Sequence, residues 1–402
     1  MQQRTNLCLK VRKLSNALIG TRKKSYIGTL CVFLVLIYGL FIANLWIESP
    51  ALSLSERRVL QKMPKLEPDE ILSGTFSEEF EEYTADHFVL RDTFRTLRSA
   101  VIYGLYRQTD KDGIYYHKGD AGKFEQLKDE TIVEFATHIQ ALSTIFQEAN
   151  QYYAAIPDKS IYADRDYPGY DPDETKQVLA KQLPHMTAID FVNTLQKESF
   201  YQTDLHWNQP LLWDVTEALG AAMGFRGSVA EDFTAKEIGS FHGVYAGQAA
   251  LPMPKEPMIY MEPNDPVNVY FYTPSTEPTD VAESEFSQTD WTLGTMYELE
   301  DFEGYDPYDI FLGGITPLIC LENERVTPQR DLWLFRDSFG SSLAPLLTGV
   351  YSRIYLVDLR YIGSAKIAEL YQERISAAQT PLTDVLYLYS TQVIGNPSIL
   401  LE

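Results

Sequence analysis

Leu332-Trp333-Leu334-Phe335-Arg336-Asp337-Ser338-Phe339-Gly340 is the stretch around which this 402-residue chain is organised. A short apolar run rich in Leu and aromatics ends at Arg336-Asp337, and residues 341–350 follow as an expected helix. Ser338 then stands in the turn from strand to helix, where unpaired backbone N–H groups and the positive end of the dipole favour a developing oxyanion. Serine is a weak nucleophile without a base, normally a histidine that a carboxylate orients. Upstream, Tyr201-Gln202-Thr203-Asp204-Leu205-His206-Trp207 offers such a pair. In an extended segment, side chains at i and i+2 point to one side, so Asp204 and His206 are expected to face one cleft. The expected site has Ser338 as nucleophile, His206 as general base and Asp204 orienting His206. Trp207 and Phe339 would wall it. The Ser338 N–H with Gly313-Gly314 would form the oxyanion hole, with Asn323 as a side-chain alternative.

Each piece also has a plainer reading. Asp337-Ser338 ahead of a helix is good capping chemistry, and an Asp-x-His pair arises by chance in many proteins. Asp204, His206 and Asp337 suit a metal-dependent hydrolase on paper, but no further ligand is evident nearby, and no metal or cofactor is expected. His87, between Asp86 and Phe88, reads as structural rather than catalytic. Cys8 and Cys31 lie near the N-terminus, which leaves Cys320 alone in the main body, in an apolar context that marks a small core residue.

Further out, charge and hydropathy divide the chain. Residues 1–25 carry seven Lys/Arg and no acid, leaving 27 basic against 56 acidic residues in the remainder. So acidic a body repels nucleic acid and suits work among cations in a cell envelope. Residues 26–47 contain no charge and would span ~33 Å as a helix, enough for a bilayer core. The run is too long for a cleaved signal peptide, so an uncleaved signal anchor is expected. Basic residues before it and acids after it put residues 1–25 in the cytoplasm and 48–402 outside. Residues 48–75 read as a polar stalk and 76–402 as one extracellular domain. Within that domain, apolar spacing predicts helices from 76, through 105, over 125–150, 175–184, 188–197, 210–223 and 365–378. Strands are expected at 152–156, 353–358 and 385–389, and a hairpin turning at Lys118-Gly119. Helices alternating with apolar strands argue for an α/β sheet. Residues 226–310, rich in Pro, Gly and acids with short strands such as 266–272, read as an irregular insertion or lobe.

Thr203-Asp204-Leu205-His206-Trp207 with Arg336-Asp337-Ser338-Phe339-Gly340 resembles the DHHW protein family of Gram-positive bacteria. At greater distance the chain is similar to the SGNH-hydrolase-like domain of the alginate O-acetyltransferases. Asp86-His87-Phe88-Val89-Leu90-Arg91-Asp92, Pro157-Asp158-Lys159, Phe311-Leu312-Gly313-Gly314 and Asp358-Leu359-Arg360-Tyr361 fit the same pattern. Leu205 departs from it, standing where the family's motif has His. The resemblance implies an SGNH-hydrolase-like three-layer α/β domain with a mostly parallel sheet, and a triad of Asp204, His206 and Ser338. It implies transfer of acetyl groups to, or their removal from, an exported or cell-envelope polysaccharide. The partners it implies are the membrane, that polysaccharide and a multipass membrane acyltransferase as acyl donor. The rival expectation is a non-catalytic envelope protein that binds a glycan or a partner on the same fold.

Overall fold

An uncharged stretch makes the first helix, α1 (Tyr26–Trp46), whose 21 residues and mean hydropathy of 2.4 make it long and apolar enough to cross a membrane. The structure is a computed structural model that describes residues 26–47, 50–124, 126–163, 171–273, 291–377 and 382–401. The basic segment 1–25 and residues 274–290 of the expected insertion lie outside these. The chain divides into two compact units, Met1–Ser53 with Arg58–Leu97 and Leu54–Arg57 with Arg98–Glu402.

In the first unit, α2 (Thr75–Asp86) and α3 (Arg91–Ser99) follow α1. Asp86 ties the unit together. It takes both Arg58 guanidinium nitrogens, Arg91 at 3.2 Å and the Gln61 N–H at 2.9 Å. Hydrogen bonds from Arg58 hold its carboxyl down at about 2 against the opposing effect of burial. His87 Nε2 donates to the Gln61 carbonyl at 2.8 Å and its ring packs 4.4 Å from Tyr83, which settles it as structural. The helix expected to run through 105 is regular only to Ser99; residues Ala100–Leu105 form a wider π turn.

Among the described residues, the largest sheet of the second unit has eight strands: β1 (Asn150–Ile156), β2 (Thr187–Ala188), β3 (Asn268–Tyr272), β4 (Trp291–Gly294), β5 (Leu318–Glu322), β6 (Arg330–Arg336), β7 (Arg353–Val357) and β8 (Leu382–Ser390). Their order is β4-β3-β5-β7-β6-β8-β1-β2. From β7 to β2 every pair is parallel, whereas β5, β3 and β4 run antiparallel to their neighbours. Strand β6 is central and buried on both faces, as its unbroken apolar run requires. Leu332 and Leu334 point into one core, with Leu386, Leu388 and Val215, Leu219 and Met223 of α6 (Trp213–Met223). Trp333 and Phe335 point into the other, with Ile139 of α4 (Asp129–Ser143) and Leu370 of α8 (Ser364–Ala377). Leu179 of α5 (Pro172–Gln182) joins that second core. The sixth and eighth helices are separated in the chain by α7 (Ser338–Leu343), which leaves β6 directly.

Two further sequence expectations change. α4 ends at Ser143 rather than 150, because the Ser143 and Thr144 hydroxyls bond back to preceding carbonyls and Gln151 donates to the freed Ser143 and Phe146 carbonyls. Residues 188–197 are not a helix. Thr187-Ala188 pairs with β1, and the Asp190 carboxylate accepts the Val192 N–H in a turn that buries Phe191 and Leu195. Within 226–310 the short strand expected at 266–272 is β3, and the span also supplies β4 and a long hairpin, Phe233–Phe241 against Glu256–Pro263. The turn at Lys118-Gly119 is as expected, with φ positive at both residues.

Candidate active site

Asp337 determines how the chain leaves β6. Its carboxylate accepts the Phe339 N–H at 3.1 Å and so caps α7, while its other oxygen accepts the Ser390 N–H at 2.8 Å from the end of β8. Both oxygens are thus engaged by backbone donors, which makes Asp337 a capping residue. The helix begins at Ser338, not at 341, and tightens at Ala344–Leu347, where Pro345 has no N–H to give. Gly340 is required here, since a Cβ would lie 2.4 Å from that of Arg336. Ser338 is half-buried at the mouth of this turn.

The residues 201–207 close into a loop rather than an extended strand. Phe200 and Trp207 bridge, and the Tyr201 N–H donates to the His206 carbonyl at 3.0 Å. Asp204 and His206 meet because Asp204 Oδ1 accepts both the His206 backbone N–H (3.1 Å) and Nδ1–H (2.7 Å). The i, i+2 spacing therefore pairs them through an Asx turn, not through strand alternation. From the other side of the imidazole, Nε2 lies 2.7 Å from Ser338 Oγ. A continuous chain of carboxylate, imidazole and hydroxyl results, with Asp204 fully buried and His206 nearly so.

Several groups that fix this chain have no signal in the sequence. The Arg57 guanidinium lies 3.1 Å from Asp204 Oδ2 and 2.8 Å from Asp306, and the Val244 N–H donates to the same Asp204 oxygen at 2.8 Å. Burial alone would push the Asp204 carboxyl up. The Arg57 charge, the His206 hydrogen bond and the Val244 N–H together outweigh burial and hold it well below the usual carboxylate range. Tyr308 stacks flat on His206, with ring centroids 3.8 Å apart, and Phe339 flanks the same ring at 5.1 Å. Trp207 Nε1–H donates to the Phe339 carbonyl and to Ser342 Oγ, so it braces α7 against the His206 loop as well as walling it. Buried Lys159 donates to the carbonyls of Ala121, Tyr201 and Gln202, and Glu256 accepts the Gln202 and Thr203 N–H groups.

Two oxyanion expectations fare differently. Asn323 is at the wrong end of the sheet. Glu322 pairs with Arg353, which pairs with Asp331 at the start of β6, about 20 Å of strand away from Ser338. Its carboxamide donates instead to the Thr348 carbonyl at 2.8 Å. Gly313 and Gly314 precede β5 at the same end as Ser338, each with φ of 66°. A Cβ on Gly313 would meet Glu298 and Phe271, and one on Gly314 would collide with the Asp309 side chain. Burial, aided by the Asp306 and Asp301 charges, pushes the Asp309 carboxyl up to about 6.

No protein-family model matches the chain, and no curated protein matches it in sequence. Solved structures do match in fold. A DHHW family protein from Eubacterium siraeum aligns over 73% of this chain and 97% of its own at TM-score 0.58 and 17% identity. PatB1 of Bacillus cereus, solved with a sulfonyl adduct, aligns over 73% and 100% at TM-score 0.55 and 18% identity. This chain shares their fold. The O-acetyltransferase domain of Pseudomonas putida AlgJ also aligns, at TM-score 0.42 and 12% identity over 71% of this chain and 92% of that domain.

Proposed function

We propose that this chain is a membrane-anchored serine esterase or O-acyltransferase of the SGNH type, with helices layered on both faces of its sheet. Its substrate would be an acylated cell-envelope or exported polysaccharide. The observation that carries the reading is the unbroken chain Ser338 Oγ–His206 Nε2 and His206 Nδ1–Asp204 Oδ1, each link 2.7 Å, with the serine half-buried at its outer end. Ser338 Oγ attacks the acyl carbonyl as its proton passes to His206 Nε2, and Asp204 stabilises the imidazolium. His206 then returns the proton to the departing alkoxide, leaving an acyl-serine. Water or a sugar hydroxyl, deprotonated by His206, attacks that ester and frees Ser338. The Phe339 N–H is committed to Asp337, so the Ser338 N–H is the donor that the first turn of α7 offers to the oxyanion. In this reading α1 anchors the chain with its basic N-terminus in the cytoplasm and its body outside. A multipass acyltransferase in the same membrane would deliver the acyl group.

That PatB1, with this fold, has been solved with a sulfonyl adduct guides the test. Wild type, Ser338→Ala and His206→Ala are treated with a sulfonyl fluoride and, separately, with an activated acetyl ester, then mapped by mass spectrometry. The expected result is a single modified Ser338 peptide with ester turnover in the wild type, and loss of both in each variant. Wild-type protein that takes neither label at Ser338 would return the chain to the glycan-binding reading.

A further inference from the structure

Helix α3 is amphipathic the wrong way round for a water-soluble surface. Two of its three arginines, Arg91 and Arg95, are tucked in, each 16% exposed, with Arg91 on Asp86 and Arg95 on Asp92, while Arg98 at its last turn is 61% exposed beside Asp112. The apolar side chains Leu90, Phe94 and Leu97, spaced to share one face, are 59%, 45% and 59% exposed. Phe88 joins them, with its ring edge-on to Phe94 at 5.7 Å. Leu90 also holds a positive φ of 62°, a conformation that costs a branched side chain energy. A normal surface helix turns such a stripe inward.

The position of this stripe within its unit says what covers it. The Val89 N–H donates to Asn44 Oδ1 at 2.6 Å, and Asn44 lies two residues from the end of α1. A 21-residue helix spans ~32 Å, close to the thickness of a bilayer's hydrocarbon core, so Asn44 falls at its boundary with the headgroups. The turn Phe88-Val89-Leu90 is therefore pinned at the level where an apolar side chain meets acyl chains. We propose that Phe88, Leu90, Phe94 and Leu97 form a second membrane contact, an interfacial surface that lies in the outer boundary of the lipid bilayer beside α1. Lipid chemistry is favoured because the Val89–Asn44 bond joins the stripe to the end of the apolar helix α1, and Arg91 and Arg95 are turned away from the exposed apolar face. The surface would hold the first unit against the bilayer instead of leaving it to swing on a single helix.

This rests on the reading of α1 as a membrane span, and the experiment separates the two. Full-length chain carrying Cys8→Ser and Cys31→Ser, with buried Cys320 kept, is reconstituted alone into phosphatidylcholine/phosphatidylglycerol vesicles. Nitroxide labels are placed singly by Leu90→Cys, Phe94→Cys, Val35→Cys in α1 and Glu237→Cys as an aqueous reference. Collision with oxygen is compared with collision with a water-soluble nickel complex. The oxygen-to-nickel ratio at positions 90 and 94 is expected to exceed that of the reference several-fold, approaching position 35. Aqueous ratios at 90 and 94 beside a lipid ratio at 35 would overturn the docking surface and leave the anchor standing, with a protein partner then the cover of the stripe. Aqueous ratios at all four positions would overturn both.

Discussion

Asp204 keeps its charge while fully buried, and Arg57 is the cation that makes this tenable. Replacing Arg57 with Met leaves the carboxylate facing only His206 and the Val244 N–H. Removing one partner of a buried pair is strongly destabilising, and with those contacts retained the expected loss is about 2–4 kcal/mol. Activity is expected to fall through kcat with KM nearly unchanged, since Arg57 acts through Asp204, and Arg57→Lys should recover part of it. Thermal unfolding and steady-state ester kinetics on the three proteins check this. Asp309 gives a prediction of opposite sign. Its carboxyl is held near 6 in the folded chain, above its unfolded value near 4, so the folded state binds the proton more tightly. That contribution is full below pH 4 and is lost as pH rises through 6. Asp309→Asn is therefore expected to stabilise the protein at pH 8 by about 1 kcal/mol, after solvent screening of a half-buried group, and to do little at pH 4. Denaturant midpoints at the two pH values measure it.

At the scale of elements, the hairpin from the span 226–310 packs against the Asp204–His206 loop. The connection between its strands includes Gly243-Val244, which lies so close to the His206 loop that a Cβ on Gly243 would stand 2.2 Å from the Thr203 carbonyl. The Gly243 N–H donates to Thr203 Oγ1, and the neighbouring Val244 N–H reaches Asp204. Gly243→Ala must push the hairpin away, costing roughly 1–3 kcal/mol by overpacking and lengthening the Val244–Asp204 bond. We expect a lower melting temperature together with reduced ester turnover. Turnover at the wild-type rate in the folded variant would show that the Val244 contact does not matter to the chemistry.

At the scale of the whole molecule, what the sequence reveals follows from which contacts are local. The strand β6, its turn and the helix after it are written in consecutive residues, so the place of Ser338 is legible. The Asp204–His206 pairing is legible too, though it is made by an Asx turn whose geometry the spacing does not specify. Arg57, Tyr308 and Val244 reach the site from 147, 104 and 40 residues away from Asp204, and nothing in their local sequence records that. Asn323 shows the converse: a suitable side chain is placed by strand direction at the far end of the sheet. The Arg57 contact leads to a prediction about the second unit as a whole. A fragment starting at Arg98 contains all eight strands and Asp204, His206 and Ser338, but not Leu54–Arg57, which belong to the same unit. It is expected to fold cooperatively, with helix signal lower only by the helices it lacks, because neither core loses a side chain. Its melting temperature and ester turnover should fall to those of an Arg57→Ala chain starting at residue 50, where that loop remains but its cation is gone. Turnover equal to that of the unsubstituted chain from residue 50 would show that the site is complete without Arg57.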